Sequence, residues 1–256
     1  MYSSAQCASS ERATNALLPG ISPGDTYERK RTMKNLQKYL STCLLATAAL
    51  LGGAFPAWAQ VSLGTASGFS VLGGTAVTCT AGSVVGDVGI SPGITASFTN
   101  TGCTIAGGTP PATNAAAASA RADFLNAYAA IRFQSCTQMS GDLAAQNLAP
   151  GVYCADAVAK TGTLTLTGPS DGVWIFLVNG ALTGTNFSVV MAGGGQPANV
   201  FWAPSAGTTM TTSVFQGNIL AGDAVGGSIT FTGGTLVGRA LANVAVTMTT
   251  TSVIGR

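Results

Sequence analysis

The chain has 256 residues, with 11 lysine and arginine residues, nine aspartate and glutamate residues and no histidine. Only 8% of the residues are charged, and the formal net charge is +2 at pH 7. Nucleic acid and anionic membranes are therefore unexpected partners, since both demand clustered positive charge. A zinc site is also unexpected, because there is no histidine and no Cys-x-x-Cys spacing. We predict neither a metal nor a cofactor.

A secretory signal is predicted at residues 33–59. Lys34 and Lys38 precede an apolar run over residues 40–55, which ends in Ala57-Trp58-Ala59. A basic start, a short apolar core and small residues at the −3 and −1 positions are typical of such signals, so we expect cleavage after Ala59. The run is too short for a membrane-spanning helix. The mature protein is therefore expected to be secreted and extracellular.

The mature chain, residues 60–256, suits a single domain. It carries six acidic and five basic side chains, so the positive charge of the whole chain comes from the leader. Residues 1–32 are polar and lie upstream of the signal, which normally begins near the N-terminus. This predicts that translation starts at Met33 and that residues 1–32 are a non-native or disordered upstream leader. We expect a monomer.

Four cysteines remain after cleavage: Cys79, Cys103, Cys136 and Cys154. An even number in an exported chain favours disulfides, although four cysteines permit three pairings. Proximity in sequence favours Cys79–Cys103 and Cys136–Cys154. We expect structural bridges rather than a redox role.

Residues 61–110 indicate short strands broken by glycine turns, and an alanine-rich segment follows Pro110-Pro111. This segment predicts a helix over about residues 114–133. Its apolar side chains at helical spacing are Ala117, Phe124, Tyr128 and Ile131. We expect that stripe to pack lengthwise against the β structure, with Arg121 and Arg132 on the solvated flank.

Within residues 161–251 one short pattern recurs, namely threonine, an apolar residue or glycine, and threonine. The copies are Thr165-Leu166-Thr167, Thr183-Gly184-Thr185, Thr209-Met210-Thr211, Thr230-Phe231-Thr232 and Thr247-Met248-Thr249. The steps between them are 18, 26, 21 and 17 residues, about one solenoid turn each. Side chains alternate along a strand, so inward middle residues place both threonines outward. Stacked coils then form two columns on a stiff, uncharged surface.

Two strongly apolar strands are predicted at residues 173–177 and 200–202. Phe176 and Trp202 precede their threonine copies by the same seven residues, which indicates equivalent positions in adjacent coils. Trp174 and Trp202 are expected in the core, although stacking on a sugar is the alternative. We expect Lys160 to be a solvated charge, and Arg239 to order a turn or an edge.

Six segments in order resemble the microbial ice-binding-protein family. They are residues 63–72, 86–93, 148–154, 200–202, 217–221 and 238–242; the last two are Gly217-Asn218-Ile219-Leu220-Ala221 and Gly238-Arg239-Ala240-Leu241-Ala242. The resemblance implies a mainly β fold, a right-handed discontinuous parallel β-helix of triangular cross-section with one long α-helix packed alongside. It also implies that N-terminal strands join coils formed by the C-terminal part.

The resemblance further implies binding to ice through one flat face, often with Thr-Ala/Gly-x-Thr/Asn on some coils. Thr183-Gly184-Thr185-Asn186 fits that motif, whereas the copies at residues 208–211 and 247–250 depart at the second position and that at 230–233 at the second and fourth. The candidate ice-binding residues are Thr165, Thr167, Thr183, Thr185, Asn186, Thr209, Thr211, Thr230, Thr232, Thr247 and Thr249.

Three alternatives remain. The threonine columns can reflect β-propensity on a solvent face, and the protein can be a structural or adhesive solenoid without ice affinity. A polysaccharide-acting enzyme needs two carboxyl groups near the bond, for which only a pair such as Asp156 and Asp171 is available. The mature chain has no glutamate and no histidine, so we do not expect an enzyme.

Overall fold

The computed structural model describes residues 61–92, 97–107, 115–139, 143–157 and 159–255, with only the backbone of Ala159. These residues lie in one compact unit, Trp58–Arg256. The signal predicted at 33–59 and the leader predicted at 1–32 lie outside the described residues.

The described chain forms nineteen strands and one α-helix. The strands before the helix are β1 (Phe69–Gly73), β2 (Ala76–Thr80), β3 (Ser83–Val85), β4 (Asp87–Ile90), β5 (Phe98–Thr101) and β6 (Thr104–Ala106). Helix α1 covers Ala115–Arg132. The strands after it are β7 (Thr137–Gln138), β8 (Asn147–Leu148), β9 (Gly151–Asp156), β10 (Ala159–Thr167), β11 (Trp174–Asn179), β12 (Leu182–Ala192), β13 (Val200–Pro204), β14 (Thr208–Gln216), β15 (Asn218–Ala221), β16 (Ile229–Val237), β17 (Ala240–Ala242), β18 (Ala245–Thr249) and β19 (Ser252–Ile254).

The strands stack in parallel into a three-sided β-solenoid. One side is an eight-stranded sheet in the order β4-β1-β17-β15-β13-β11-β9-β7, here called the helix-side sheet. The other two sides belong to the second sheet, whose long strands β12, β14 and β16 bend midway. Their first halves, with β18, β2 and β5, form the threonine face. Their second halves, with residues 162–167 of β10 and with β8, β19, β3 and β6, form the valine face.

The bend between these two faces is made by residues with positive φ. Asn186, Thr212 and Thr250 have φ of 50°, 47° and 50° at equivalent places, and Gly233 takes the same role with φ of 69°. At the next residue, Gly234, a Cβ would lie 2.1 Å from the Ser213 carbonyl oxygen. The bend therefore needs glycine where two coils approach most closely.

The stacking order is discontinuous in sequence, which confirms the expectation drawn from the resemblance. Strand β1 lies between β4 and β17, β2 lies between β5 and β18, and β3 pairs with both β6 and β19. The coils made by the N-terminal strands therefore rest on the last coil of the chain. Helix α1 connects β6 at one end of the stack to β7 at the other. Its 18 residues give a length of about 27 Å.

The solenoid interior is filled by aliphatic side chains and a stack of aromatic rings. Phe176 lies opposite Trp202 in neighbouring strands, with ring centroids 4.0 Å apart. The Trp202 ring also lies 4.8 Å from that of Phe215. Trp174 and Trp202 are fully buried, and their indole N–H groups donate to the carbonyls of Leu148 and Gln216. Their predicted place in the core is confirmed.

The helix packs lengthwise on the outer surface of the helix-side sheet, as predicted. Ala117, Phe124 and Ile131 are buried there together with Ala120 and Ala127. The partner side chains on the sheet are Leu72, Ile175, Leu177, Phe201, Ala203, Leu220 and Leu241. Among the described residues, helix α1 therefore packs on the outer surface of the helix-side sheet, whereas the other two faces of the solenoid carry no α-helix.

The two helix arginines are not on a solvated flank, so that prediction is wrong. Arg132 donates from Nη1 to the carbonyl oxygens of Val178 at 3.3 Å and Ala203 at 3.2 Å. Arg121 donates from Nη2 to Asn243 Oδ1. Both side chains reach backbone or amide groups at the coil ends, where a guanidinium fork can satisfy several acceptors.

Lys160 is also not the solvated charge that we expected, because only 1% of its surface is exposed. It lies opposite Gly184, in the row of inward-pointing middle residues. Arg239 orders a turn, as predicted. Its Nε and Nη2 donate to the Ser67 carbonyl at 3.0 and 2.8 Å, and its Nη1 donates to Asn218 Oδ1 at 3.0 Å.

Both predicted disulfides are present. Cys79, on β2 of the threonine face, is joined to Cys103, which follows β5. Cys136, just after helix α1, is joined to Cys154 on β9. The first bridge therefore ties together the two N-terminal coils, and the second fixes the end of the helix to the opposite end of the stack.

Candidate functional site

Two columns of threonine run across six coils of the threonine face. The column nearer the strand starts contains Thr99, Thr78, Thr247, Thr230, Thr209 and Thr183 in register. The second column contains Thr101, Thr80, Thr249, Thr232, Thr211 and Thr185. Neighbouring coils are about 4.8 Å apart, and the two threonines of one strand are about 6.7 Å apart. The surface is therefore a regular array two residues wide and six coils long.

The threonines point outward because the residues between them are buried. Met210, Phe231 and Met248 fill the interior below the array. Gly184 continues this row without a side chain, because its neighbour Met210 takes the space; a Cβ on Gly184 would lie 2.6 Å from Met210 Sδ. Alternation along each strand thus fixes which groups reach solvent.

The hydroxyls of the array are available to solvent. Within the described part of the chain, none of the twelve threonine hydroxyls forms a hydrogen bond to another residue. The hydroxyls at the bend behave differently, since Thr212 Oγ1 donates to Asn186 Oδ1 at 2.5 Å and Thr250 Oγ1 donates to the Thr249 carbonyl. The threonine hydroxyls at the bend therefore form hydrogen bonds within the protein, whereas those of the array beside it do not.

The array carries no charge among the described residues, and the titratable groups with shifted pKa values lie elsewhere. Thr65 donates from its hydroxyl and its backbone N–H to Oδ2 of Asp123 on helix α1, and these hydrogen bonds lower the pKa of that carboxyl. The backbone N–H groups of Gly226 and Val225 lower the pKa of Asp223 in the turn before β16. Asp123 thus holds the turn at Thr65, Asp223 holds its own turn, and neither projects from the threonine columns.

Of the nine predicted positions from Thr183 onward, the eight threonines lie in the columns and Asn186 does not. Thr183, Thr185, Thr209, Thr211, Thr230, Thr232, Thr247 and Thr249 all lie in the two columns. Asn186 follows Thr185 at the bend and is exposed, so it lies on the rim of the array.

Thr165 and Thr167 do not join the columns, so the expected stacking of that copy is wrong. Thr165 lies opposite Val190 and Thr167 opposite Ala192, which places both on the valine face. Thr167 Oγ1 also donates to Asn147 Oδ1 at 2.7 Å. The 18-residue step to Thr183 resembles one coil, but it runs from one face of a coil to a different face of the next.

Sequence reasoning missed four threonines of the array: Thr78, Thr80, Thr99 and Thr101. They occur in Thr78-Cys79-Thr80, which has the same pattern, and 21 residues later in Thr99-Asn100-Thr101, which has asparagine in the middle position. The repeat over residues 161–251 does not include them, although strands joined from the N-terminal part have to continue the same faces. Extending it to these strands identifies the coil of Thr78 and Thr80, and the pairing of β2 with β5 adds the coil of Thr99 and Thr101.

The proposed carboxylate pair does not form. Asp156 lies opposite Asn179 at the end of its strand, whereas Asp171 lies in the turn that precedes Trp174. The strand Trp174–Asn179 between these levels spans about 17 Å. Two carboxyl groups that cleave one glycosidic bond are about 5 to 9.5 Å apart, so this pair does not meet that requirement.

Two further features bear on partners. Among the described residues, no group of three or more histidine, cysteine, aspartate or glutamate side chains could hold a metal ion. No helix in the same part of the chain has the length and apolar character that crossing a membrane requires.

The fold is a discontinuous parallel solenoid that its own N-terminal strands complete, and helix α1 lies lengthwise on one side. This fold defines the structural class of the protein. Within that class, a family described as Ice-binding-like matches residues 71–254. The chain belongs to this family.

Relatives in sequence and in structure agree with the family. An ice-binding protein from Nostoc sp. (strain HG1) is 39% identical over 203 residues, which cover 75% of this chain and 72% of the relative. The crystal structure of an ice binding protein from an Antarctic biological consortium matches with a TM-score of 0.67 and 29% identity, over 76% of this chain and 90% of the other. That of an ice-binding protein from the ascomycete Antarctomyces psychrotrophicus matches with a TM-score of 0.65 and 27% identity, over 77% and 98%.

Proposed function

We propose that the protein binds ice, and that it adsorbs through the threonine face. The observation that carries this proposal is the array of twelve outward threonines, in register on six coils and without internal hydrogen bonds. The relatives named as ice-binding proteins support the same function. The four threonines of the N-terminal strands belong to the proposed site together with the eight predicted ones.

The chemistry of threonine suits a surface that matches a solid made of water. A charged side chain holds its own hydration shell, which works against adsorption to an ordered lattice. The threonine methyl orders neighbouring water and the hydroxyl can join it. The β-branched side chain is stiff at χ1, and therefore little rotamer entropy is lost when it is ordered further. Each contact is weak, so a flat and rigid surface has to engage many at once.

Adsorption stops growth without turnover. A bound molecule pins the ice front, and ice that grows between pinned points becomes curved, which is unfavourable. No catalytic group is needed, so the proposed function is not enzymatic. The same mechanism acts on the boundaries between crystals and therefore opposes recrystallisation.

We place this activity outside the cell, in a monomer that has lost its signal segment. The basic and apolar pattern over residues 33–59 supports export. Two disulfides also fit an oxidising compartment. The proposed partner is the ice surface itself, with no nucleic acid and no membrane.

A bulky substitution in the array tests the site. We expect Thr211→Tyr and Thr232→Tyr to abolish ice-affinity partitioning and the faceting of single ice crystals, because a protruding ring holds the flat face away from the lattice. Thermal unfolding should be nearly unchanged, since both side chains are on the outside. Ala129→Tyr, on the exposed side of helix α1, is the matched control and should behave as the wild type.

Two results would contradict the proposal in different ways. If both tyrosine variants shaped ice as the wild type does, the threonine face would not be the site. If the wild-type protein itself failed to partition into ice, the function would be wrong, and a structural or adhesive role would replace it.

A further inference from the structure

Each coil turns a corner between the helix-side sheet and the threonine face, and helix α1 contacts several of these corners. Arg121 Nη2 donates to Oδ1 of Asn243, two residues before β18 begins. Tyr128 Oη donates to the Pro204 carbonyl oxygen at 3.0 Å, at the end of β13. Arg132 donates to carbonyl oxygens near the ends of β11 and β13. Polar side chains of the helix therefore hold the chain where it leaves the helix-side sheet.

The spacing of these three side chains along the helix matches the spacing of the coils. The helix rises about 10.5 Å from Arg121 to Tyr128 and about 16.5 Å from Arg121 to Arg132. In the sheet order β17-β15-β13-β11, the steps from the coil of Asn243 to those of β13 and β11 measure about 10 and 14 Å. Residues seven and eleven positions apart also lie on one side of a helix. One side of helix α1 therefore contacts the corners of several coils at regular intervals.

The corner at Asn243 is where the two parts of the chain meet. Strand β18, which follows this corner, pairs with β16 on one side and with β2 on the other. The chain runs from β16 to β18 directly through β17. Thr75 and Val244 touch at the meeting point, yet they are separated by 169 residues. The position of β2 against β18 is therefore set by contacts in the folded state and not by a short loop.

Contacts at this corner reach both neighbouring coils. Asn243 Nδ2 donates to the Gly222 carbonyl oxygen at 3.0 Å, in the coil of β15. On the other side, Thr75 donates from its N–H and its hydroxyl to the Val244 carbonyl oxygen, at 2.6 and 3.1 Å. Gly74 packs so closely that a Cβ on it would lie 1.8 Å from the Asn243 carbonyl oxygen. The guanidinium from helix α1 thus holds a corner through which three coils are connected.

The position of this corner matters for the array because β18 carries Thr247 and Thr249. In the two columns these threonines lie between those of β16 and those of β2. Nε of Arg121 is buried, so the guanidinium is enclosed at the corner and its contact fixes the Asn243 side chain in one place. A shift of the corner would move β18, which begins two residues later.

We propose that Arg121 and Asn243 are positioning residues of the array. Their contact keeps β18, and β2 beyond it, in register with β12, β14 and β16. This inference rests on the proposed function and deepens it. Adsorption needs many weak contacts at once, so a small displacement at this junction would remove the threonines on one side of it from the common plane.

Arg132 provides a matched control on the same helix. The coils that it contacts contain β11, β12, β13 and β14, which follow one another directly in the chain. Short connections already limit how far these strands can move relative to one another. The contacts of Arg132 therefore stabilise the fold without setting the register of a discontinuous junction.

The experiment compares Arg121→Met and Asn243→Ala with Arg132→Met. Amide hydrogen exchange of β18 and β14 and ice-affinity partitioning near 0 °C are measured on folded protein. We expect the first two variants to exchange the β18 amides about tenfold faster, since a charge-assisted hydrogen bond is lost, to keep the wild-type exchange of β14, and to partition less into ice. Arg132→Met should lower Tm but retain wild-type exchange in β18 and wild-type partitioning. Arg121→Lys should recover both properties in part, because an ammonium group still donates to Asn243.

The outcomes separate this inference from the function on which it rests. If Arg121→Met and Asn243→Ala partition into ice as the wild type does, the inference is refuted and the threonine face stands. If Arg132→Met reduces partitioning and speeds β18 exchange as much as Arg121→Met does, the helix contacts only stabilise the fold, and the inference is again overturned. If the wild type itself does not partition into ice, the proposed function fails and this inference fails with it. Asn243→Ala keeps the helix unchanged, so it decides the question if Arg121→Met does not fold.

Discussion

Thr208 and Thr209 are neighbours in strand β14 with opposite environments. Thr209 projects from the array, whereas Thr208 points into the interior and exposes 1% of its surface. Thr208 Oγ1 is buried without a hydrogen-bond partner among the described residues. A buried hydroxyl that lacks a partner costs about 1 to 3 kcal/mol. In the same strand, therefore, Thr208 reduces the stability of the fold, whereas Thr209 belongs to the proposed site.

Thr208→Val should therefore stabilise the protein. Valine keeps the branched shape and removes the unsatisfied hydroxyl, so we expect a gain of about 1 kcal/mol in the free energy of unfolding and a rise of about 2 to 4 °C in Tm. Thermal and denaturant unfolding measure both. The matched control is Thr209→Val, which should leave Tm nearly unchanged. A Thr208→Val variant that unfolds at a lower temperature would show that the hydroxyl has a partner.

The places of the core aromatic side chains were predictable from the sequence, and those of Lys160, Arg121 and Arg132 were not. Phe176 and Trp202 precede equivalent threonine copies by equal distances, so their stacking follows from the repeat alone. Lys160 lies opposite Gly184 in the inward row of its strand and is buried. Arg121 and Arg132 take positions that helical spacing assigns to the flank of helix α1. Their long side chains can turn back onto the coils, and the acceptors that they find there are distant in sequence.

The two disulfides act on different elements of the fold. Cys79 lies between Thr78 and Thr80, so the Cys79–Cys103 bridge holds the two N-terminal coils of the array. The Cys136–Cys154 bridge lies at the far end of helix α1 and at the helix-side sheet. Closing loops of this length stabilises a chain by about 3 kcal/mol in the chain-entropy view.

Removing each bridge should separate stability from ice binding. We expect both Cys79→Ala with Cys103→Ala and Cys136→Ala with Cys154→Ala to lower the free energy of unfolding by about 3 kcal/mol. Only the first pair should also weaken ice adsorption near 0 °C, because it loosens coils that carry four of the twelve threonines. Denaturant unfolding and ice-affinity partitioning of both double variants make the comparison. Equal ice adsorption by the two would argue that the N-terminal coils do not contribute.

The elements were more predictable than the face on which each lies. The helix, the solenoid and the discontinuous order followed from helical spacing, the 21-residue repeat and the family resemblance. Thr165 was assigned to the wrong side because strands on both free faces alternate in the same way. The signal that separates them is the residue at the bend: each copy in the array is followed by a residue with positive φ, such as Thr212 or Thr250, and Thr167 is not.

At the scale of the whole molecule, charge is rare and lies away from the array. The pKa of Asp123 and that of Asp223 are lowered by hydrogen bonds to their carboxylates. A carboxyl with a lowered pKa in the folded state adds stability above the pKa of the unfolded chain, about 3.9, and that stability is lost as the pH falls through the lower value. Burial raises the pKa of Tyr128 and Tyr153. Their contribution is present below about pH 10 and is lost as the pH rises.

Stability and ice adsorption should therefore be flat between about pH 5 and pH 9. The free energy of unfolding should decline below about pH 4 and above about pH 10, with the signs given above. Ice adsorption should follow only the folded fraction, since no described side chain of the array titrates. Unfolding curves and thermal hysteresis across this range provide the measurement. A change in hysteresis near neutral pH, with the protein still folded, would contradict an uncharged site.

The discontinuous order of the coils sets when the array can exist during synthesis. The strand that carries Thr247 and Thr249 lies between those that carry Thr78 and Thr230, yet it is among the last to be made. A nascent chain therefore holds two separate groups of threonines with a gap between them. Only the final residues join these groups, through contacts that are very distant in sequence and slow to form. A chain that stops before β18 would lack the strand that joins β2 to β16, so its N-terminal threonines would be separated from those on β12, β14 and β16.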